Sequence, residues 1–198
     1  MVRTNPQRRQ ALLDASIEVL ARDGARGLTF RAVDKEAGVP AGTASNYFAN
    51  RDDLLVQTGN RYYERLIPGD AAMAKLDEPP SRELLTELMT EVVERVTRFR
   101  TGYLALLELR LEATRRPELQ ALLTERVRAD LEFNVAAHLD HRMPGDENTV
   151  LLLILALNWL ILERLTLPGV FTEERARELV RVAVERAIPA QPPSAAGE

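Results

Sequence analysis

The 198-residue chain is predicted to be an all-α protein of about nine helices. Hydrophobic residues make up 45% of the chain and aromatic residues only 5%, so Leu, Val and Ala dominate, as is typical of packed helices. Apolar residues recur at helical spacing along almost the whole sequence, and no segment shows the alternation of a half-buried strand. The length suffices for one or two domains with a sizeable core.

Helix boundaries follow from capping residues and from glycine or proline breaks. Thr29 and Asn50 are typical N-caps, and Gly24 and Gly38 are typical C-terminal stops. Asp53, three residues after Asn50, gives the spacing of a capping box. The predicted helices span residues 7–23, 30–37, 43–48, 51–67, 81–100, 102–115, 117–141, 147–166 and 172–188.

Charge is distributed unevenly along the chain. Residues 1–51 contain eight Lys or Arg and five Asp or Glu, a net charge of +3, whereas the remainder contains 18 and 25, a net charge of −7. A basic N-terminal part is compatible with a nucleic-acid contact confined to that end. We predict a first domain over residues 1–50, a second over residues 51–188, and a disordered, proline-rich tail over residues 189–198.

Several function classes lack support in this sequence. The absence of cysteine excludes disulfides, thiolate catalysis and cysteine-ligated metals. His138 and His141, near Asp140, could form half of a metal site, but histidines near a helix C-terminus are also stabilised by the helix dipole. We expect no enzyme activity, cofactor or metal, and an all-helical enzyme remains an alternative.

We expect a cytoplasmic protein without a membrane partner. The first ten residues lack the apolar segment of a signal peptide, and the apolar run at residues 150–162 is too short to span a bilayer.

Residues 28–48 form the most informative stretch. They predict two short helices joined by a tight turn, in which Gly38 can adopt a positive φ. Compact residues at positions 40–42 would let the second helix approach another surface closely. This helix presents hydrogen-bonding side chains on a segment short enough for a DNA major groove: Thr43, Ser45, Asn46 and Tyr47. The stretch therefore predicts a helix-turn-helix.

The first 60 or so residues resemble the DNA-binding domain of the TetR family of repressors. The resemblance is carried by the first helix ending at Gly24, and by Leu28-Thr29, Ala37-Gly38-Val39, Gly42-Thr43, Tyr47-Phe48, Arg51 and Leu54-Leu55. It implies a ligand-responsive regulator, most often a repressor, that binds a palindromic operator as a dimer. The chain departs from the usual pattern at Asp34, Ala44 and Ser45, where the family commonly has a small residue, Leu and Tyr, respectively.

The resemblance assigns DNA-contact roles by position. Thr29, Thr43, Tyr47 and Arg51 fall at phosphate contacts, and Pro40, Ala41, Gly42, Ser45 and Asn46 fall at the groove floor. Arg31 could contact a base or a phosphate, and Asn46 could pair with adenine. Arg3, Arg8 and Arg9 could form an N-terminal arm. Tyr47 could instead pack in the core, Arg51 could be a solvated first-turn residue, and Thr29 could be only a cap.

The last two helices are the predicted homodimer surface, because residues 150–162 are apolar on nearly all sides. A fully buried helix within one chain is the alternative. The resemblance also implies a small-molecule inducer among the middle helices. Its candidate contacts are Tyr63, Met89, Phe99, Tyr103, Leu107, Arg110, Phe133, Asn134, Asn158 and Trp159, each of which could equally be core packing. Asn158 could bind the ligand, a backbone carbonyl or its symmetry mate. An activator, or a regulator controlled by a protein partner, remains possible for this fold.

Overall fold

The structure, a computed structural model, describes residues 5–188, and this part of the chain is helical without a strand. The predicted all-α fold is therefore confirmed. Arg3 and the predicted tail over residues 189–198 lie outside the described residues. The helices are α1 (Pro6–Gly27), α2 (Phe30–Glu36), α3 (Arg51–Leu66), α4 (Asp70–Ala74), α5 (Arg82–Arg98), α6 (Arg100–Ala113), α7 (Pro117–Asp140), α8 (Glu147–Thr166) and α9 (Glu173–Ala187).

The structure differs from the predicted helices at three places. The helix predicted over residues 43–48 is a three-residue 3₁₀ segment, Ala44–Asn46. The short helix α4 was not predicted, because five residues are too few to show a helical period. Helix α1 also continues past its predicted end to Gly27, with a kink where Gly24 has φ of 67°.

The predicted caps are present. Thr29 Oγ1 accepts a hydrogen bond from the Ala32 N–H at 3.1 Å, and Asn50 Oδ1 accepts from the Asp53 N–H at 2.9 Å. The Asp53 carboxylate accepts from the Ala49 N–H at 2.9 Å, one residue earlier than in a standard capping box. These bonds fix the starts of α2 and α3 on either side of the 3₁₀ segment.

The described residues divide into two compact units. The first contains the residues up to Ile67 together with Arg98–Ala129, so α6 and the first half of α7 group with α1–α3. Its core is one apolar cluster drawn from all these helices and from the connection that precedes α3. The most deeply buried members include Leu12, Ile17, Leu20, Leu28, Val33, Phe48, Leu54, Leu55, Leu109 and Leu119. The predicted domain boundary at residue 50 stays a prediction.

The second unit contains Pro68–Thr97 and the residues from Asp130 onward. Leu85 of α5, Leu153 of α8 and Val184 of α9 form an apolar cluster in it, with Met89 packed against them. Helix α8 begins with a capping box between Asp146 and Thr149, and Thr149 Oγ1 also donates to the Ala187 carbonyl of α9 at 3.0 Å. The start of α8 is therefore tied to the end of α9.

Helix α8 is the most apolar element of the described chain. Its 20 residues, with a mean hydropathy of 1.8 in the most apolar stretch, would be long and apolar enough to cross a membrane, and the core helix of a soluble protein has the same composition. One face, including Leu153, Leu157 and Ile161, is buried within the chain. The opposite face leaves Leu155 and Trp159 69% and 62% exposed. The alternative of a helix wholly buried within one chain is therefore wrong.

Candidate nucleic-acid interface

The helix-turn-helix is held together by a buried carboxylate. Asp34 on α2 is only 2% exposed, and its two oxygens accept hydrogen bonds from the N–H groups of Gly42 and Ala44, both at 2.7 Å. Its main-chain carbonyl accepts from the Val39 N–H at 3.0 Å. Gly38 and Gly42 take the turn through φ of 64° and 87°, where a Cβ would be strained. Asp34 thus joins α2, the turn and the 3₁₀ segment.

The predicted groove-floor residues lie together on an exposed surface. Pro40, Ala41, Gly42, Ser45 and Asn46 are all exposed, and Thr43 is half-buried. The polar side chains among them donate hydrogen bonds to nearby main-chain carbonyls. Ser45 Oγ donates to the Gly42 carbonyl at 2.8 Å, and Asn46 Nδ2 donates to the same oxygen at 3.1 Å. Thr43 Oγ1 donates to the Pro40 carbonyl at 2.5 Å.

These side-chain bonds explain why the predicted helix is short. In an α-helix the Gly42 carbonyl would accept the backbone N–H of Asn46. Here the Asn46 N–H bonds the Thr43 carbonyl at 3.0 Å, while side chains occupy the Gly42 oxygen. Local side-chain bonds of this kind compete with helix formation.

Tyr47 packs in the core, as its structural alternative expected, and its phosphate contact stays a prediction. Its ring packs against the core cluster, and its hydroxyl oxygen accepts from the Asn5 N–H at 3.3 Å. Asn5 caps α1 by accepting from the N–H groups of Gln7 and Arg8. The Tyr47 hydroxyl therefore lies beside a helix N-terminus, where the helix dipole favours a phosphate.

Arg9 of the predicted N-terminal arm contacts other residues of the fold, whereas Arg31 of α2 is exposed. Arg9 lies over the Phe48 ring at 5.5 Å and donates to Gln57, so it is held by the fold. Arg31 is exposed on α2. Thr29 is also exposed, but its oxygen caps α2, as its structural alternative expected. Its hydroxyl proton can still be donated to a phosphate.

The Arg51 side chain donates hydrogen bonds to two main-chain carbonyls. Its Nε donates to the Leu28 carbonyl at 3.2 Å, and its Nη2 donates to the Ala25 carbonyl. The Ala25 N–H donates in turn to Glu108 Oε2 of α6 at 2.9 Å. Arg51 and Glu108 therefore bind opposite sides of Ala25, just after the kink of α1. These two bonds use two of the five guanidinium N–H donors, and the phosphate contact of Arg51 stays a prediction.

Sequence reasoning did not find the roles of Asp34 and Glu108. Asp34 was noticed only as a departure from the family pattern, and that departure was the available signal. Glu108 lies 83 residues from Ala25, so local spacing carries no sign of the pair.

The candidate ligand contacts fall in both units. Tyr63, Phe99, Tyr103, Leu107 and Arg110 belong to the first unit, and Met89, Phe133, Asn134, Asn158 and Trp159 belong to the second. In the first, the Tyr62 ring lies 5.1 Å from that of Tyr63 and 6.0 Å from that of Phe99. Tyr103 is also buried, and its burial raises the pKa of its hydroxyl.

The second set is more exposed. Phe133 and Trp159 are 51% and 62% exposed, and Asn158 lies on the same exposed face of α8 as Trp159. Asn134 Nδ2 donates to the Asp130 carbonyl at 2.7 Å. The ligand-binding role of all ten residues stays a prediction.

His138, one of the two histidines considered for a metal site, is buried, and His141 lies at hydrogen-bond distance from a main-chain carbonyl. His138 is 6% exposed, and burial lowers the pKa of its imidazole. His141 Nδ1 lies 2.8 Å from the Ala137 carbonyl, one turn earlier. Across residues 5–188 no group of three or more His, Cys, Asp or Glu side chains is placed to hold a metal ion.

Both parts of the chain match known families. Residues 12–58 match the family described as bacterial regulatory proteins, tetR family, and residues 80–190 match the tetracyclin repressor-like C-terminal domain. The HTH-type transcriptional regulator BetI of Agrobacterium fabrum is 30% identical over 142 residues, which cover 72% of this chain and 68% of that protein. The HTH-type transcriptional repressor KstR of Rhodococcus jostii is 32% identical over 92 residues, covering 46% and 40%.

Solved structures agree with these matches over nearly the full chain. The multidrug binding protein EbrR, solved with imidazole, is 33% identical with a TM-score of 0.65, and the alignment covers 96% of this chain and 94% of that one. The TetR-family member SCO1917 from Streptomyces coelicolor is 33% identical with a TM-score of 0.69, covering 93% and 100%. The resemblance stated from the N-terminal motifs is confirmed: the chain belongs to the tetR family of bacterial transcriptional regulators.

Proposed function

We propose that this regulator is a cytoplasmic repressor that binds a palindromic operator as a homodimer and is released by a small-molecule inducer. The observation that carries the proposal is the exposed surface formed by residues 40–42 together with Ser45 and Asn46, in a turn that the buried Asp34 carboxylate holds. Fixed, compact backbone with polar side chains suits insertion into a major groove.

The DNA contacts divide into two classes. Ser45 and Asn46 face outward and contact base edges, together with the backbone at Pro40, Ala41 and Gly42. Thr29, Arg31, Thr43 and Tyr47 contact phosphates. The position of the Tyr47 hydroxyl beside the N-terminus of α1 supports its role most strongly. For Arg51, the bonds to two carbonyls favour a bracing role over a phosphate contact.

The homodimer forms through α8 and α9. Leu152, Leu155 and Trp159 follow one another at helical spacing along a single face of α8, and each is more than half exposed in one chain. Soluble monomers seldom expose contiguous apolar surfaces of this kind. Burial against the same face of a second copy removes that surface from water, and a two-fold dimer matches a palindromic DNA site.

The inducer is an aromatic compound. The candidate contacts provide aromatic rings, and EbrR, about a third identical to this chain, has been solved with imidazole, ethidium and malachite green. An inducer causes the protein to release the operator only if it binds the conformation that cannot bind DNA more tightly than the conformation that can. The coupling is reciprocal, so bound DNA weakens inducer affinity by the same factor.

Selection of bound sequences from a random duplex pool tests the DNA claim. The expected result is a palindrome whose half-sites lie one helical turn apart, about 34–36 Å centre to centre. Failure of the folded protein to enrich any sequence at low salt would contradict the proposal.

The selected duplex then serves to test induction. Malachite green and ethidium should each bind the protein saturably and weaken its affinity for the duplex, with the same dye and DNA alone as control. Binding that leaves DNA affinity unchanged would contradict the inducer class.

A reporter driven by the promoter of the gene separates repression from activation. Expression should rise when the gene is deleted. A fall on deletion would favour an activator, and a response only in the presence of another protein would favour control by a protein partner.

A further inference from the structure

The carboxylate of Asp34 is buried, and among residues 5–188 its hydrogen-bond partners are main-chain N–H groups and not a cation. Its two oxygens instead bind the N–H groups of Gly42 and Ala44, each at 2.7 Å, while Asp34 and Ala44 are 2% and 0% exposed. A buried charge is costly unless it is hydrogen-bonded, and bonds to a charged acceptor are among the strongest in proteins. The position of this backbone is therefore tightly determined.

The backbone of Gly42 connects the Asp34 carboxylate to Ser45 and Asn46, the proposed base-contacting residues. The two N–H groups that Asp34 binds belong to the peptide units on either side of the unit that contains the Gly42 carbonyl. That carbonyl accepts from both Ser45 Oγ and Asn46 Nδ2. By fixing the two flanking peptide units, Asp34 sets the direction of the Gly42 carbonyl oxygen. Ser45 and Asn46, the proposed base-contacting residues, both donate hydrogen bonds to this oxygen.

The N-cap side chain does not duplicate these bonds at the start of the 3₁₀ segment. Thr43, at the N-cap position, makes no side-chain cap bond, and its hydroxyl binds the Pro40 carbonyl instead. The Pro40 side chain has no oxygen that could accept hydrogen bonds from the Gly42 and Ala44 N–H groups in place of Asp34. Removal of the carboxylate would leave the Ala44 N–H buried without its acceptor.

We propose that Asp34 is a specificity-determining positioning residue, which fixes Ser45 and Asn46 for base recognition without touching DNA. This inference rests on the proposed operator recognition by residues 40–46. It differs from a purely stabilising role because it concerns discrimination between sequences, not only the fraction of folded protein.

The test compares Asp34→Asn with Thr58→Ala in the full-length protein. Asparagine keeps the shape of aspartate but can accept only one of the two bonds, since its amide group would meet the other N–H donor to donor. The control removes a different buried bond of the same unit, from Thr58 Oγ1 to the Leu54 carbonyl at 2.7 Å. Affinities for the selected duplex and for random duplex are measured at one salt concentration, under conditions where each variant is folded.

For Asp34→Asn we expect the ratio of selected-site to random-site affinity to fall about tenfold, which corresponds to about 1.4 kcal/mol. The dependence of affinity on salt should not change, because no phosphate contact is lost. Thr58→Ala should retain the wild-type ratio. An unchanged ratio for Asp34→Asn, or an equal loss in both variants, would overturn the inference.

Amide hydrogen exchange on the wild-type protein provides a test if Asp34→Asn does not fold. The Gly42 and Ala44 amides should be protected, as bonded N–H groups are, and rapid exchange at both while the core amides of α1 remain protected would overturn the inference. Wild-type protein that selects no sequence would instead identify a failure of the proposed function, on which the inference depends.

Discussion

Replacing Arg51 with alanine should destabilise the protein without removing a phosphate contact. The guanidinium donates to the carbonyl of Ala25, at the end of α1, and to the carbonyl of Leu28, just before α2. Alanine at position 51 removes both donors. The first turn of α3 would then lose its direct connection to these two segments.

The expected loss follows from the two bonds. A hydrogen bond that involves a charged group contributes about 1.5–3 kcal/mol, and the lower end applies here because Arg51 is only half-buried. Two such bonds give a loss of about 3 kcal/mol. For a chain of this size, 1 kcal/mol shifts the melting temperature by about 2–4 °C, so we expect a decrease of about 6–12 °C.

Thermal unfolding at a fixed protein concentration measures this loss, and Arg31→Ala provides the matched control. Arg31 is exposed on α2, so its removal should change stability by less than about 0.5 kcal/mol. If Arg31 contacts a phosphate in both chains of the dimer, Arg31→Ala should reduce the steepness of log affinity against log salt by about 1.8, which is about 0.9 for each lost contact. Arg51→Ala should leave that slope unchanged. A normal melting temperature combined with a reduced slope for Arg51→Ala would refute this reasoning.

Three further predictions concern the dimer, pH and base recognition. Leu155→Arg places a charge on the exposed face of α8 and should yield a 22.2 kDa monomer in sedimentation velocity, whereas Leu111→Arg, at the comparably exposed position on α6, should not; a dimeric Leu155→Arg protein would contradict the proposed interface. Burial lowers the pKa of His138, so below its usual value of about 6.5 the unfolded chain binds a proton that the folded chain excludes. The contribution of neutral His138 to stability should therefore be complete above pH 6.5 and decrease as pH falls below it, by up to about 1.4 kcal/mol per pH unit. Urea unfolding of His138→Gln should lack this component, and identical pH dependence in both proteins would count against it. Asn46→Ala should relax the preference at one position of each half-site in repeated sequence selection, and an unchanged selected sequence would exclude base recognition by Asn46.

Much of the fold could be predicted because it depends on local patterns. Helical periodicity located most helices, and the caps at Thr29 and Asn50 lie within three residues of the N–H groups that they bind. The family was identified from motifs at fixed spacing in the first 60 residues, and its N-terminal match covers residues 12–58.

What could not be predicted depends on contacts between distant residues or on competing local bonds. Arg51 reaches the Ala25 carbonyl 26 residues earlier, so its first-turn position suggested a solvated or phosphate-binding side chain instead. The 3₁₀ segment was predicted as a longer helix because periodicity does not show that Ser45 and Asn46 occupy the Gly42 carbonyl. The ligand contacts were chosen by residue type, and residue type does not separate core packing from ligand binding.

The number of protein chains bound to the selected duplex tests the central claim most directly. Sedimentation of the complex, with duplexes that carry either the full site or one half-site, gives both the stoichiometry and the affinity. We expect the full site to bind an even number of chains related by the palindrome, and the half-site to bind about a hundredfold more weakly because the second contact is lost. A single chain on the full site, with equal affinity for the half-site, would contradict operator recognition by a two-fold dimer.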